Sequence, residues 1–94
     1  MYQVYILYSL AADKYYIGVS KDVQKRIEMH NDALIEGAYT QIAKDWSLFF
    51  QIDCNNKSQA LKIEKHIKKM KSRVYIENLK KYPNISKKLL LRYS

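Results

Sequence analysis

Two short segments, YQVYILY at 2–8 and YYIGV at 15–19, are dense in β-branched and aromatic residues, and a polar stretch from Ser9 to Lys14 separates them. Such residues suit a pleated, half-buried surface, and a short polar connection leaves two strands little choice but to pair back on one another. The spacing predicts an antiparallel hairpin with a loop of about five residues. Alternation places Gln3, Tyr5 and Leu7 on one face of the first strand and Val4, Ile6 and Tyr8 on the other, while Tyr16 and Gly18 share a face of the second. Gly18 reads as the end of that strand, where something approaches the backbone closely.

A helix is expected at 21–31, with Ser20 as its cap, Asp22 in its first turn, and Val23, Ile27 and Asn31 along its inward row. Residues 32–46 contain Gly37 and read as a loop with one short helical turn near Thr40 to Lys44. SLFFQIDC, 47–54, reads as a third, largely buried strand. A helix from Ser58 to about Lys71 follows, with Ala60, Ile63, Ile67 and Met70 on its apolar face and Lys62, Lys65 and Lys69 toward solvent. A shorter helix over 73–81 is expected to stop at Pro83, and Ile85 to Tyr93 to form a last amphipathic turn or two. The order β-β-α-β-α-α implies one α+β domain over residues 1–94, a small three-stranded, mostly antiparallel sheet flanked by helices.

Charge narrows the function classes. Residues 1–56 hold five Lys/Arg against seven Asp/Glu, whereas residues 57–94 hold twelve against two. A one-sided basic surface suggests a polyanion, most simply nucleic acid, and a solubilising lysine-rich face is the bland alternative. The lone Cys54 cannot close an intramolecular disulfide, so a reduced, cytoplasmic setting is expected, with Cys54 as a small hydrophobe. One cysteine and two distant histidines exclude a Cys/His zinc centre. No stretch has the length of a membrane span, and VYILYSLAA lacks the basic residue a signal peptide carries before its apolar run, so the sequons at Asn56 and Asn84 carry no meaning here.

Three features exceed packing requirements. Arg26 and His30, four apart on a helix, project on one face and suit phosphate chemistry: planar, permanently charged donors beside a group that exchanges a proton. Tyr5 and Tyr16 are two of nine tyrosines, and they converge if they look the same way across the hairpin. A phenol of pKa near 10 needs a neighbouring cation to act as a base, and Arg26 is placed to provide one. Glu64 shares a side of its helix with Ala60 and Ile67, where a carboxylate is costly unless a cation meets it. Pairing with Lys68, holding a metal ion and acting as a general base are all compatible with that position.

Together, Val4-Tyr5-Ile6, Tyr16-Ile17-Gly18, Arg26, His30-Asn31 and the helix-borne Glu64 resemble the GIY-YIG nuclease superfamily, over roughly residues 2–80. More closely, the chain is similar to the small standalone bacterial GIY-YIG domain proteins, related to the nuclease domain of the excision-repair incision subunit. Ala38-Tyr39-Thr40, Asp45-Trp46, Ser58-Gln59-Ala60-Leu61 and Ile67-Lys68-Lys69 support the likeness. The resemblance implies that Tyr5 and Tyr16 orient or activate the attacking water, that Arg26 and His30 serve the phosphate, and that Glu64 holds one Mg²⁺ or Mn²⁺. It implies a DNA endonuclease, in repair or processing, and the sequence leaves monomer and homodimer both open. Lys68, Lys69, Lys71 and Arg73 are the expected DNA-backbone contacts. Val4 stands where the first triplet has its glycine, Val19-Ser20 where many repair-type members carry a lysine, and Asn78 is the nearest match to a further family asparagine. Two other readings remain: a nucleic-acid-binding module of the same fold without turnover, and a protein-interaction domain using its tyrosines.

Overall fold

The computed structural model describes residues 1–32 and 39–94. Three strands, β1 (Tyr2–Ser9), β2 (Lys14–Ser20) and β3 (Ser47–Cys54), form one antiparallel sheet in the order β2-β1-β3. Among the described residues four helices surround it: α1 (Val23–Asn31), α2 (Lys57–Met70), α3 (Arg73–Lys81) and α4 (Pro83–Arg92), with a 3₁₀ turn at Tyr39–Ile42. The α+β architecture expected from the sequence is the one observed.

Because β1 is the central strand and both faces of the sheet are covered, Val4, Tyr5, Ile6 and Leu7 are all buried in succession. Val4 and Ile6 face α2, α3 and α4, and pack with Ile52, Ala60, Ile63, Ile67, Ile76, Leu79 and Leu89. Tyr5 and Leu7 face the other way, and pack with Trp46, Tyr16, Val23, Ile27 and Ala43. The sheet therefore separates a large aliphatic core from a smaller aromatic one, and Tyr5 belongs to the second.

Several element boundaries differ from the sequence reading. β2 continues through Ser20, which pairs with Gln3, so Gly18 lies inside the strand and the hairpin turn is Leu10 to Asp13. Asp22, not Ser20, caps α1: its carboxylate accepts from Lys25 N at 3.1 Å, and Ser20 Oγ accepts from Asp22 N at 3.0 Å. Asn56 caps α2, accepting from Gln59 N at 2.9 Å, so Ser58 is already helical. Lys71 is the left-handed C-cap at φ 48°, and Met70 just before it is 46 % exposed because the chain leaves the sheet there. Pro83 ends α3 as expected and at once begins α4, a full helix, because a missing N–H is harmless at the first helical position. The expected turn near Thr40 is the 3₁₀ turn, whereas Gly37 and Ala38 lie outside the described residues.

The hairpin turn is fastened at both sides. Asp45 accepts from Ser9 Oγ (2.5 Å) and Ala11 N (2.9 Å), bonds that hold its carboxyl below the usual range. Asp13, in the left-handed region at φ 51°, accepts from Tyr8 Oη and from both terminal nitrogens of Arg73 on α3. Cys54 is buried and unpaired, and burial pushes its thiol up. Among the described residues, no helix is long and apolar enough to cross a membrane.

Candidate active site

Tyr5 and Gly18 are direct partners across the β1–β2 ladder. A Cβ built on Gly18 would lie 2.5 Å from Tyr5 Oη and 2.6 Å from its Cζ, so the phenol lies flat over the glycine, within the space any side chain would need. The close approach inferred from Gly18 is thus made by Tyr5 itself. This aims the phenol across β2 toward Tyr16, whose ring centroid is 6.2 Å away, and toward His30 from α1, also at 6.2 Å. Tyr16 and His30 are closer still, at 4.7 Å.

His30 is 1 % exposed and engaged at both ring nitrogens. Nε2 lies 3.1 Å from Tyr5 Oη, and Nδ1 lies 2.5 Å from the buried Thr40 Oγ1. The Thr40 carbonyl in turn accepts from Trp46 Nε1 at 2.8 Å, and Asn31 grips the Trp46 backbone from both sides, at 2.7 and 2.9 Å. So α1 holds the 3₁₀ turn in place through consecutive residues, His30 and Asn31. In the tautomer that donates Nδ1–H to Thr40, Nε2 is left as the acceptor for the Tyr5 proton.

Electrostatics keep this pair neutral in the free protein. Burial raises the Tyr5 phenol above its ordinary value; the Arg26 guanidinium opposes this, while Tyr16 and Glu64 add to it. Burial, and then the charge of Arg26, lower His30. Arg26 is half-buried, and its Nε is the one buried side-chain nitrogen or oxygen among the described residues with no hydrogen-bond partner. A native buried donor is seldom left unpaired, so a guanidinium in that condition beside a phenol is suited to accept an anionic ligand.

Glu64 comes from α2, on the side of the sheet that carries the aliphatic core, and its field nevertheless reaches Tyr5. Its side chain is 19 % exposed and pairs with Lys68 Nζ at 3.2 Å, so the i to i+4 pair allowed by the spacing is formed. Among the described residues there is no group of three or more His, Cys, Asp or Glu able to hold a metal ion. His66 lies apart, bonded to Tyr93 Oη at 2.8 Å. A single carboxylate fits a hard cation that keeps most of its waters, as Mg²⁺ does, and fits zinc poorly.

The expected DNA contacts are of three kinds. Lys69 and Lys71 are exposed, and Lys68 is exposed but paired with Glu64. Arg73 binds both carboxylate oxygens of Asp13, at 2.7 and 3.2 Å, and packs 5.2 Å over the Tyr15 ring. Its charge is already matched, and it ties α3 to the hairpin. Asn78 is half-buried on α3 with no side-chain hydrogen bond to the Tyr5 cluster. Trp46 stands out in the sequence only through its likeness to a family, and Thr40 through that likeness and as the start of a short helical turn. No spacing rule ties Thr40 to His30 ten positions earlier, because the sequence between them carries neither helix nor strand periodicity.

The family model of the GIY-YIG catalytic domain matches residues 1–81, which takes in the whole Tyr5 cluster and Glu64 and stops before α4. Comparisons with curated proteins and with solved structures each gave no match. GIY-YIG domains are nuclease domains, generally dependent on a divalent metal, and the chain belongs to the GIY-YIG catalytic domain family.

Proposed function

We propose that the chain is a DNA endonuclease that hydrolyses phosphodiester bonds with one bound divalent cation, Mg²⁺ or Mn²⁺. The observation that carries the reading is the gathering of Tyr5, Tyr16, Arg26 and His30 from three elements, with the field of Glu64 reaching the same phenol. Arg26, whose Nε lacks a hydrogen-bond partner, binds the scissile phosphate with its guanidinium and steadies its developing charge.

Tyr5 and His30 move the proton. The phenol passes its proton to His30 Nε2 as it takes one from the attacking water, so no free phenolate has to accumulate in a site that raises the Tyr5 pKa. The oxygen of that water bonds to phosphorus and the P–O bond to the leaving group breaks. Phosphate at Arg26 offsets the charge that lowers His30, so substrate binding itself makes His30 a better acceptor. Tyr16 orients the water. Glu64 would hold the cation after releasing Lys68, and the ion would supply Lewis-acid polarisation of the phosphate and stabilise the leaving oxygen.

Lys69 and Lys71, with Lys68 once released, grip the DNA backbone without reading sequence. A role in DNA repair or processing, and a cytoplasmic setting in which the buried Cys54 thiol stays reduced, complete the proposal. The reading without turnover draws on the Glu64–Lys68 pair, which competes with any cation for the carboxylate. Purified protein incubated with Mg²⁺ or Mn²⁺ and labelled DNA decides between them. Cleavage by the wild type should fall at least a hundredfold in Glu64→Gln and in Arg26→Ala, with helical content unchanged. Equal cleavage by wild type and Glu64→Gln would refute the assignment.

A further inference from the structure

Along the outer edge of β2, next to the Tyr5 cluster, lies an open groove of about 420 Å³ whose apolar interior has no part in the reaction above, although Tyr16, Lys68 and Lys71 border both. Tyr16 and Tyr39 line it with their rings, Ile17 and the nearly wholly buried Ile67 and Ile76 lie at its floor, and Lys14 and Lys71 carry its positive charge. It is joined to the catalytic cluster by two residues: Tyr16, 4.7 Å from His30, and Lys68, paired with Glu64. Asp13 also borders it, and would repel a polyanion were its carboxylate not held by Arg73 and Tyr8.

Aromatic and aliphatic surface beside lysines is the combination that takes a base by its face and the strand by its phosphates. The volume falls in the range of small-ligand sites, room for a nucleotide and far too little for a duplex. A base still stacked in a duplex cannot enter, and leaving the stack is easiest for a base that has no partner. We infer that this groove is a subsite for one unstacked nucleotide of the strand being cut, next to the scissile phosphate, so that the enzyme selects DNA with an unpaired nucleotide there.

The inference rests on the nuclease reading, and the test separates the two. Wild-type protein in EDTA is titrated by anisotropy with a labelled duplex, the same duplex bearing one bulged nucleotide, and the single strand. Tyr39 is 47 % exposed, so Tyr39→Leu removes the aromatic face while keeping bulk, and Tyr39→Phe retains it. The bulged duplex should bind roughly tenfold tighter than the intact one, the effect of one base–aromatic stack. Tyr39→Leu should abolish that preference without changing affinity for the intact duplex, and Tyr39→Phe should keep it. A 2-aminopurine at the bulge should change its fluorescence on binding to wild type and Tyr39→Phe alone. Equal affinity for the bulged and intact duplexes, or a preference that survives Tyr39→Leu, would overturn the subsite. So would competition by free dAMP at the affinity of the bulged strand, which would place a small molecule there instead. In parallel Mg²⁺ reactions, absence of cleavage with the preference intact refutes the nuclease reading alone. Cleavage without preference refutes the groove alone.

Discussion

Replacing Gly18 with alanine tests the geometry of the site through one methyl group. The new Cβ would sit 2.5 Å from Tyr5 Oη, 2.6 Å from Cζ and 2.9 Å from Cε1, about 1 Å inside ordinary van der Waals contact. The φ of Gly18 lies outside the left-handed region, so alanine meets no backbone strain, and the loss of unfolded-state freedom favours it by about 0.4–1 kcal/mol. The steric term opposes this. A flexible side chain would swing aside, but the Tyr5 ring is wholly buried and bonded to His30 at 3.1 Å. Overpacking of that kind typically costs about 1–3 kcal/mol, so a net destabilisation of about 1–2 kcal/mol is expected in urea unfolding. Cleavage should suffer more than stability, because a shift of about 1 Å in a catalytic group can reduce the rate about a hundredfold. Crystallography of the variant should show the phenol displaced from His30 Nε2. Wild-type stability together with wild-type cleavage would refute the claim that Gly18 sets the position of Tyr5.

Thr40→Val keeps shape and removes the hydroxyl that faces His30 Nδ1, leaving a buried ring nitrogen unpaired, so urea unfolding should show a loss of about 1–3 kcal/mol that Thr40→Ser largely restores. Arg73 and Tyr8 hold Asp13 down to about 2 from its ordinary 3.8. Its contribution is therefore fully present above pH 3.8, is lost as pH falls toward 2, and should vanish from the urea midpoint profile in Asp13→Asn. His30 is depressed below its ordinary 6.5, so the unfolded chain takes up its proton first on acidification. Stability should decline as pH drops below 6.5, and His30→Gln should lessen that decline in the same assay.

Local composition alone determined most of the elements. β3 at Ser47–Cys54 and α3 at Arg73–Lys81 fall where the apolar patterns place them, because strand and helix periodicities are properties of neighbouring residues. The i to i+4 relation of Arg26 to His30 and of Glu64 to Lys68 was legible for the same reason. Caps were less so: Ser20 and Asp22 are both good caps, and the choice between them followed from how far β2 pairs with β1. Tertiary structure decided what the side chains meet. Only the β2-β1-β3 order buries Tyr5 and Ile6 on opposite faces of one strand, lays the Tyr5 ring over Gly18, and brings Thr40 against His30. It also matched Arg73 with Asp13, sixty residues earlier, which the count of basic residues could not foresee. Contacts between distant segments depend on which faces remain to be covered once the sheet has formed, and no local pattern carries that information.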